Sequence, residues 1–189
     1  MRIAIFSGSF NPIHNGHLAI AREVLEQGAA DELWFLVSPK NPLKNSDLMP
    51  EGDRLKMVVM AIENEPHMRA SDFEFQLPRP SFTINTLDKL KISYPQHQFV
   101  LLIGGDNLAI FHKWRQYQRI IDEYGLIVYP RPGFPIDNPV QMPGIAVVKA
   151  PLYDISATEI RAKLTKGKAV ADLVPAKVAD FLLKRIDHR

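Results

Sequence analysis

Short apolar runs with almost no polar interruption recur along the chain, and longer stretches with helical spacing separate them. The runs cover residues 3–6, 32–37 (ELWFLV), 99–103 (FVLLI), 126–129 (LIVY) and 145–148 (IAVV). A strand that is apolar at every position, not every second one, is buried on both faces. That is the condition of a parallel sheet with helices on both sides. Between the runs, residues 17–27 carry Leu18, Ala21, Val24 and Leu25 on one helical face. Residues 51–63 do the same with Leu55, Val58, Val59 and Ile62, and Pro50 suits the helix start. Residues 84–92 and 116–124 repeat the pattern. Strands alternating with helices predict βαβ units and an α/β fold with a doubly wound, mostly parallel sheet. The stretch 156–186 reads as nearly all helical, with Pro175 opening the last helix. The length of 189 residues fits one domain, 1–189, of which 156–189 is a small C-terminal helical portion. The Pro-rich segments 39–50 and 130–143 read as surface loops, and no internal repeat interrupts the pattern.

In an open α/β sheet, ligands bind beyond the C-terminal ends of the strands. The first such turn here reads GSFNPIHNGH, Gly8 to His17. Gly8 permits close approach of the backbone to a ligand. The helix that follows offers free N–H groups and a partial positive charge, which suit phosphate. His14 and His17 lie three residues apart at that helix start, so both can face one ligand. The helix terminus lowers a histidine pKa, whereas a bound triphosphate raises it. Two other readings stay open: the histidines cap the turn, or they bind a metal. No third histidine lies near in sequence and the chain has no cysteine, so the metal reading lacks the three or four ligands zinc uses. The turn matches neither Gly-x-Gly-x-x-Gly nor the Walker A pattern.

Composition removes several classes of function. A formal net charge of +2 does not suit a protein whose whole surface grips nucleic acid. Without cysteine there are no disulfides and no thiolate zinc sites. The N-terminus runs straight into a strand pattern, and no signal peptide or transmembrane run is read, so a cytoplasmic protein without nucleic-acid or membrane partners is expected.

A second motif, ISATEIR (Ile155 to Arg161), opens another helical run. Ser156 and Thr158 have hydroxyls that cap a helix and also bind phosphate, and Arg161 lies one turn on, where it can clamp phosphate oxygens. Alone, this motif reads as a capping box from Ser156 to Glu159. Together the two motifs resemble the G-x-F-x-P-x-H-x-G-H and I-S-x-T-x-x-R signatures of the nucleotidyltransferase superfamily. Four further segments are similar to the bacterial nicotinate-nucleotide adenylyltransferases. SPKNPLK (38–44) sits where that family has a Pro-Pro-His-Lys/Arg loop; Leu43 replaces the histidine and Lys44 is retained. PSFTINTL (80–87) resembles the Ser-Tyr-Thr-x-x-Thr-Leu stretch that helps hold the nicotinate nucleotide, with Thr86 matching the last threonine. IGGDNLAIFHKW (103–114) resembles the segment from a glycine–aspartate pair to a tryptophan that stacks on the pyridine ring; Asp106 and Trp114 match, and Arg115 follows where the family usually has Tyr. YPRPG (129–133) is similar to its Arg-Pro-Gly turn.

The resemblance implies a Rossmann-like nucleotidyltransferase fold and adenylyl transfer from ATP to nicotinate mononucleotide, with Mg²⁺ held mainly by phosphates and water and no protein metal ligand. It implies charge stabilisation by His14, His17, Lys44 and Arg161. It implies ATP binding by Gly8, Ser9, Phe10, Gly16, Gly104, Asp106, Ile155, Ser156 and Thr158. Nicotinate mononucleotide falls to Thr86, Trp114 and Arg115. The acceptor phosphate is already anionic, so catalysis should be positioning plus charge stabilisation, without a general base. Another small adenylyltransferase, acting on nicotinamide mononucleotide or phosphopantetheine, and a non-catalytic nucleotide-binding module remain the alternatives. Homo-oligomer formation is left open.

Overall fold

The computed structural model describes residues 1–39, 48–136 and 143–186. Six strands form one parallel sheet: β1 (Arg2–Gly8), β2 (Glu32–Val37), β3 (Met68–Ser71), β4 (Gln98–Gly104), β5 (Leu126–Tyr129) and β6 (Ile145–Val147). Their order is β3-β2-β1-β4-β5-β6. The direction of winding therefore reverses between β1 and β4, and this switch point opens a crevice above the strand ends. Five strands follow the expected runs. The unexpected β3 pairs Leu33 with Met68 and Leu36 with Ser71 at the sheet edge. Its four residues, MRAS, carry too little apolar character to mark a strand, and Arg69 instead lays its guanidinium over the Trp34 ring at 4.6 Å.

Alternate residues of each strand feed two cores, which is why the runs are continuous. Ala4, Phe6, Phe35, Val37 and Leu102 pack on one face. Ile3, Ile5, Leu36, Leu101 and Ile103 pack on the other. The first face is covered by α1 (Asn15–Glu26), α2 (Glu51–Ala61), α6 (Ala157–Thr165) and α7 (Ala176–Ile186). The second is covered by α3 (Thr83–Ser93) and α5 (Tyr117–Glu123), with the short α4 (Gly105–Ala109) at the end of β4. In α2 the buried stripe differs from the expected one. Arg54, Met57 and Val58 are inside, while Val59 is 53% exposed.

The C-terminal stretch is not one nearly continuous helical run. Gly167 has φ 63, Lys168 N–H bonds to Lys163 O at 2.9 Å, and Gly167 N–H bonds to Leu164 O at 3.0 Å. Those two bonds are a Schellman stop, which needs a left-handed residue and so favours glycine. A non-helical link follows, and Pro175 opens α7 by accepting from Val178 and Ala179 N–H groups at 2.9 Å. Asn15 N–H reaches across to Leu173 O at 2.9 Å, which ties the start of α1 to this link. Among the described residues, no helix is long and apolar enough to cross a membrane.

Candidate active site

The turn after β1 is built around a buried ring. Phe10 has φ 43 and is 3% exposed. A left-handed phenylalanine is strained, and burial is what holds it there. Its ring lies edge-on to Phe35 at 5.4 Å and to His17 at 5.2 Å. Gly8 is required for the same reason: a Cβ there would meet the Phe10 ring at 3.1 Å. The Ser9 carbonyl points inward and accepts from the Arg54 guanidinium at 2.5 Å.

His14 occupies the N-cap position of α1 and is 4% exposed. His17 stacks on it with ring centroids 3.6 Å apart and planes at 23°. The His14 N–H donates to Nδ1 of His17 at 3.2 Å. The capping alternative therefore holds: His14 is the N-cap of α1 and His17 closes the capping box onto the His14 N–H, while Nδ1 of His14 is buried without a partner. With Nδ1 accepting, a neutral His17 carries its proton on Nε2, where it is a donor. Gly16 is needed beside them, because a Cβ would lie 3.1 Å from the His14 ring and 3.4 Å from Tyr153. Burial, then the Arg131 charge, lowers the His14 pKa to about 4. Burial, His14 and Arg131, in that order, hold His17 well below its usual range. Both rings are thus neutral near pH 7. Burial is the largest cause for both rings.

The second motif comes alongside the first. Ser156 is the N-cap of α6, and its Oγ accepts from Glu159 N–H at 3.1 Å. Arg161 donates to the Asn11 carbonyl at 2.8 Å and to Thr158 Oγ1 at 3.3 Å. One guanidinium thus joins both motifs across 150 residues of chain. His14, Gly16, Arg131, Tyr153 and Ile155 line a narrow cavity between the two helix starts. A wider cleft continues past Asp106, Asp154 and Ser156.

Asp106 opens α4 and faces Arg131 at 3.9 Å. A Cβ at Gly104 would collide with Asp106 Oδ1 and lie 2.9 Å from the Arg131 side chain. The glycine pair before Asp106 is therefore fixed by local crowding, and Gly105 by the Phe134 carbonyl, 2.7 Å from a Cβ. Arg131 depresses both histidines and pairs with Asp106, so it is the central cation of the cleft. Sequence reasoning marked its turn, YPRPG, but assigned the arginine no role.

The other expected residues lie on the second face of the sheet. Thr86 is 2% exposed, and its hydroxyl donates to Glu74 at 3.1 Å. Trp114 is half-buried against Phe111, with ring centroids 5.1 Å apart. Arg115 is exposed, and its guanidinium lies over the Phe82 ring at 4.8 Å. Leu43 and Lys44 fall outside the described residues. Glu74 and the fully buried Arg54 were missed, because one sequence cannot tell a buried charge from a solvated one.

Residues 5–163 match the cytidylyltransferase-like family. The chain is 46% identical over 187 residues to the probable nicotinate-nucleotide adenylyltransferase of Bacteroides fragilis, covering 98% of this chain and 93% of that one. It is also 46% identical over 186 residues to the protein of the same designation from Cytophaga hutchinsonii, covering 98% and 97%. The fold is similar to that of Plasmodium falciparum nicotinic acid mononucleotide adenylyltransferase, solved in complex with NaAD, with a TM-score of 0.81 at 21% identity over 97% of this chain and 95% of that one. On the match of most of its length to the family model and of nearly all of it to these relatives, the chain belongs to the cytidylyltransferase-like family and, within it, to the nicotinate-nucleotide adenylyltransferases.

Proposed function

We propose that this protein transfers the adenylyl group of ATP to nicotinate mononucleotide. One observation carries the reading: Arg161 joins the two motif helices so that His14, with His17 stacked behind it, Arg131 and two helix N-termini come together at one cleft. That arrangement suits a triphosphate, which carries several negative charges and accepts from N–H donors. An oxygen of the mononucleotide phosphate attacks the α-phosphorus of ATP in line. The new P–O bond forms as the bond from the α-phosphorus to the bridging oxygen breaks, and pyrophosphate leaves with the electron pair. The attacking phosphate is already ionised, so no side chain need take a proton.

Neutral His17 contributes its Nε2–H as a fixed donor, and Arg131 contributes permanent charge. Arg161 holds the Asn11 turn in place and adds a second cation; Lys44, outside the described residues, is proposed for the same role. Asp106 is the carboxylate that faces Arg131. Among the described residues no cluster of three His, Asp or Glu side chains is placed to hold an ion. Mg²⁺ carried by triphosphate oxygens and water would offset the charge of the leaving pyrophosphate. We further propose that residues 1–189 work as a single domain and that the reaction takes place in the cytoplasm.

The test is pyrophosphate release from ATP with nicotinate mononucleotide, nicotinamide mononucleotide and phosphopantetheine offered in parallel. Fastest release with the nicotinate form is expected. Release only with another acceptor overturns the substrate assignment. ATP binding without release from any acceptor would make the chain a nucleotide-binding module.

A further inference from the structure

One buried acid has no part in the transfer chemistry. Glu74 lies in the 3-10 turn Phe73–Gln76 and is 5% exposed. Buried carboxylates are normally paired with a cation. The partners of Glu74 are hydroxyls from three different elements. Ser38, just past β2, donates to Oε2 at 2.9 Å, and Thr86 of α3 donates to Oε1 at 3.1 Å. Ser7 of β1 lies 3.4 Å from Oε1 and 3.2 Å from Ser38 Oγ.

A carboxylate accepts hydrogen bonds and donates none. Ser38 and Thr86 must therefore both point their protons at Glu74. Because the Ser38 proton is committed, the single Ser7 proton is left to face Glu74 Oε1 and Ser38 Oγ. Every hydroxyl proton in the chain then runs toward Glu74, and such chains reinforce themselves. What Ser7 and Ser38 keep on their outer sides is lone pairs. Both are half-buried, not sealed, and stand at the C-terminal ends of neighbouring strands, where Ser38 N–H bonds to Gly8 O at 2.9 Å. Arg54 fixes the same place from below. It is 0% exposed and donates to the Ser38 carbonyl at 2.8 Å, Pro39 O at 2.6 Å and Met49 O at 3.0 Å, besides Ser9. Ser38 is thus gripped by a buried cation at its backbone and a buried anion at its side chain.

We infer that Glu74 is a positioning residue for the acceptor nucleotide: through Ser38 and Ser7 it presents hydroxyl oxygens as acceptors, and so selects a hydrogen-bond donor, the ribose diol of a mononucleotide. This rests on the acceptor named above. A phosphate or carboxylate brings no proton and would meet only lone pairs over a buried negative charge. The acceptor phosphate must therefore lie elsewhere, toward His17 and Arg131, and its carboxylate away from Ser7 and Ser38.

The experiment compares nicotinate mononucleotide with its 2′-deoxy and 3′-deoxy forms, in the native protein, Glu74→Gln and Ser38→Ala. The glutamine keeps the shape but replaces one acceptor by an NH₂ donor, so at least one hydroxyl must reverse. One neutral hydrogen bond contributes about 0.5–1.5 kcal/mol, which converts to roughly 2- to 12-fold at ~1.4 kcal/mol per decade. The native protein should favour the ribose form over at least one deoxy form by that factor in kcat/KM. Both variants should lose most of the preference while KM for ATP stays unchanged. Calorimetric binding of the mononucleotides gives the same comparison without turnover, so a native protein that binds but does not react overturns the function and still tests the inference. A native protein indifferent to the ribose hydroxyls overturns the inference. So does a preference that survives in both variants, or a loss spread equally over all acceptors and ATP, which would make Glu74 a structural residue only.

Discussion

Replacing His17 by alanine and by glutamate separates its two roles. The ring does structural work: Nδ1 accepts the His14 N–H at 3.2 Å, and the ring packs edge-on against Phe6 at 5.7 Å and Phe10 at 5.2 Å. Losing a capping contact costs about 0.5–2 kcal/mol. His17→Ala should therefore unfold about 1–3 kcal/mol more easily once the lost ring contacts are included. The Nε2–H is a separate matter. One preorganised donor to developing negative charge is worth ~10²–10³ in kcat, or about 2.7–4 kcal/mol. Glutamate at this third helical position can still accept the His14 N–H, as in an ordinary capping box, and its charge suits the helix start. His17→Glu should thus recover much of the lost stability and still lack a donor facing the triphosphate. The assays are denaturant unfolding and steady-state pyrophosphate release, run on both variants. Expected are alanine weak on both counts and glutamate restored in stability alone, with kcat at least ~10²-fold down. Turnover within about threefold of native in either variant would refute the reasoning, because the proposed donor would then contribute less than ~0.7 kcal/mol.

His14 sets a pH dependence. Its folded pKa of about 4 lies below the ordinary 6.5, so the unfolded chain binds more protons between those values and stability should fall as pH drops from about 6.5 to 4, by roughly 3 kcal/mol; urea titrations should show that slope flattened in His14→Ala. Ser156→Ala removes the acceptor of Glu159 N–H and should cost about 1 kcal/mol; if calorimetry then finds ATP affinity unchanged, Ser156 is a cap and not a phosphate ligand. Arg115→Ala should lower the preference for nicotinate over nicotinamide mononucleotide by no more than about fivefold, and not at all at high salt, since an exposed cation is worth up to ~1 kcal/mol. A larger drop in the kcat/KM ratio would mean that the side chain leaves Phe82 to contact the ligand.

The doubly wound sheet was legible because both faces of β1, β2, β4 and β5 are packed, which leaves runs with no polar gap. The edge strand β3 was not, because a strand covered less fully can be written as MRAS. The helical stop at Gly167 is plain in TKGK once its bonds are seen, yet helical spacing alone ran across it. The two motifs were legible as anion-binding helix starts from their residue types. Their junction was not, because Arg161 reaches a carbonyl, and carbonyls leave no trace in side-chain patterns. Arg54 and Glu74 were hidden for a related reason. Their partners are carbonyls in one case and hydroxyls in the other, not opposite charges that a reader could pair along the chain.

The cleft is organised by contacts within the chain itself. The histidines are stacked and held by the start of α1, and burial first, with the Arg131 charge adding to it, keeps them neutral. A protonated pair this close would repel itself, and a freely rotating pair would have to be ordered at the moment of reaction. Stacking avoids both costs and leaves only hydrogen-bond polarity to be set, which the His14 N–H does by occupying Nδ1 of His17. On the other side of the strand ends, Glu74 sets polarity the opposite way, turning hydroxyl protons inward. One wall thus offers donors and the other acceptors. For an adenylyl transfer between two nucleotides, that difference distinguishes where phosphate oxygens can lie from where ribose hydroxyls can, before either charge or shape has made the choice.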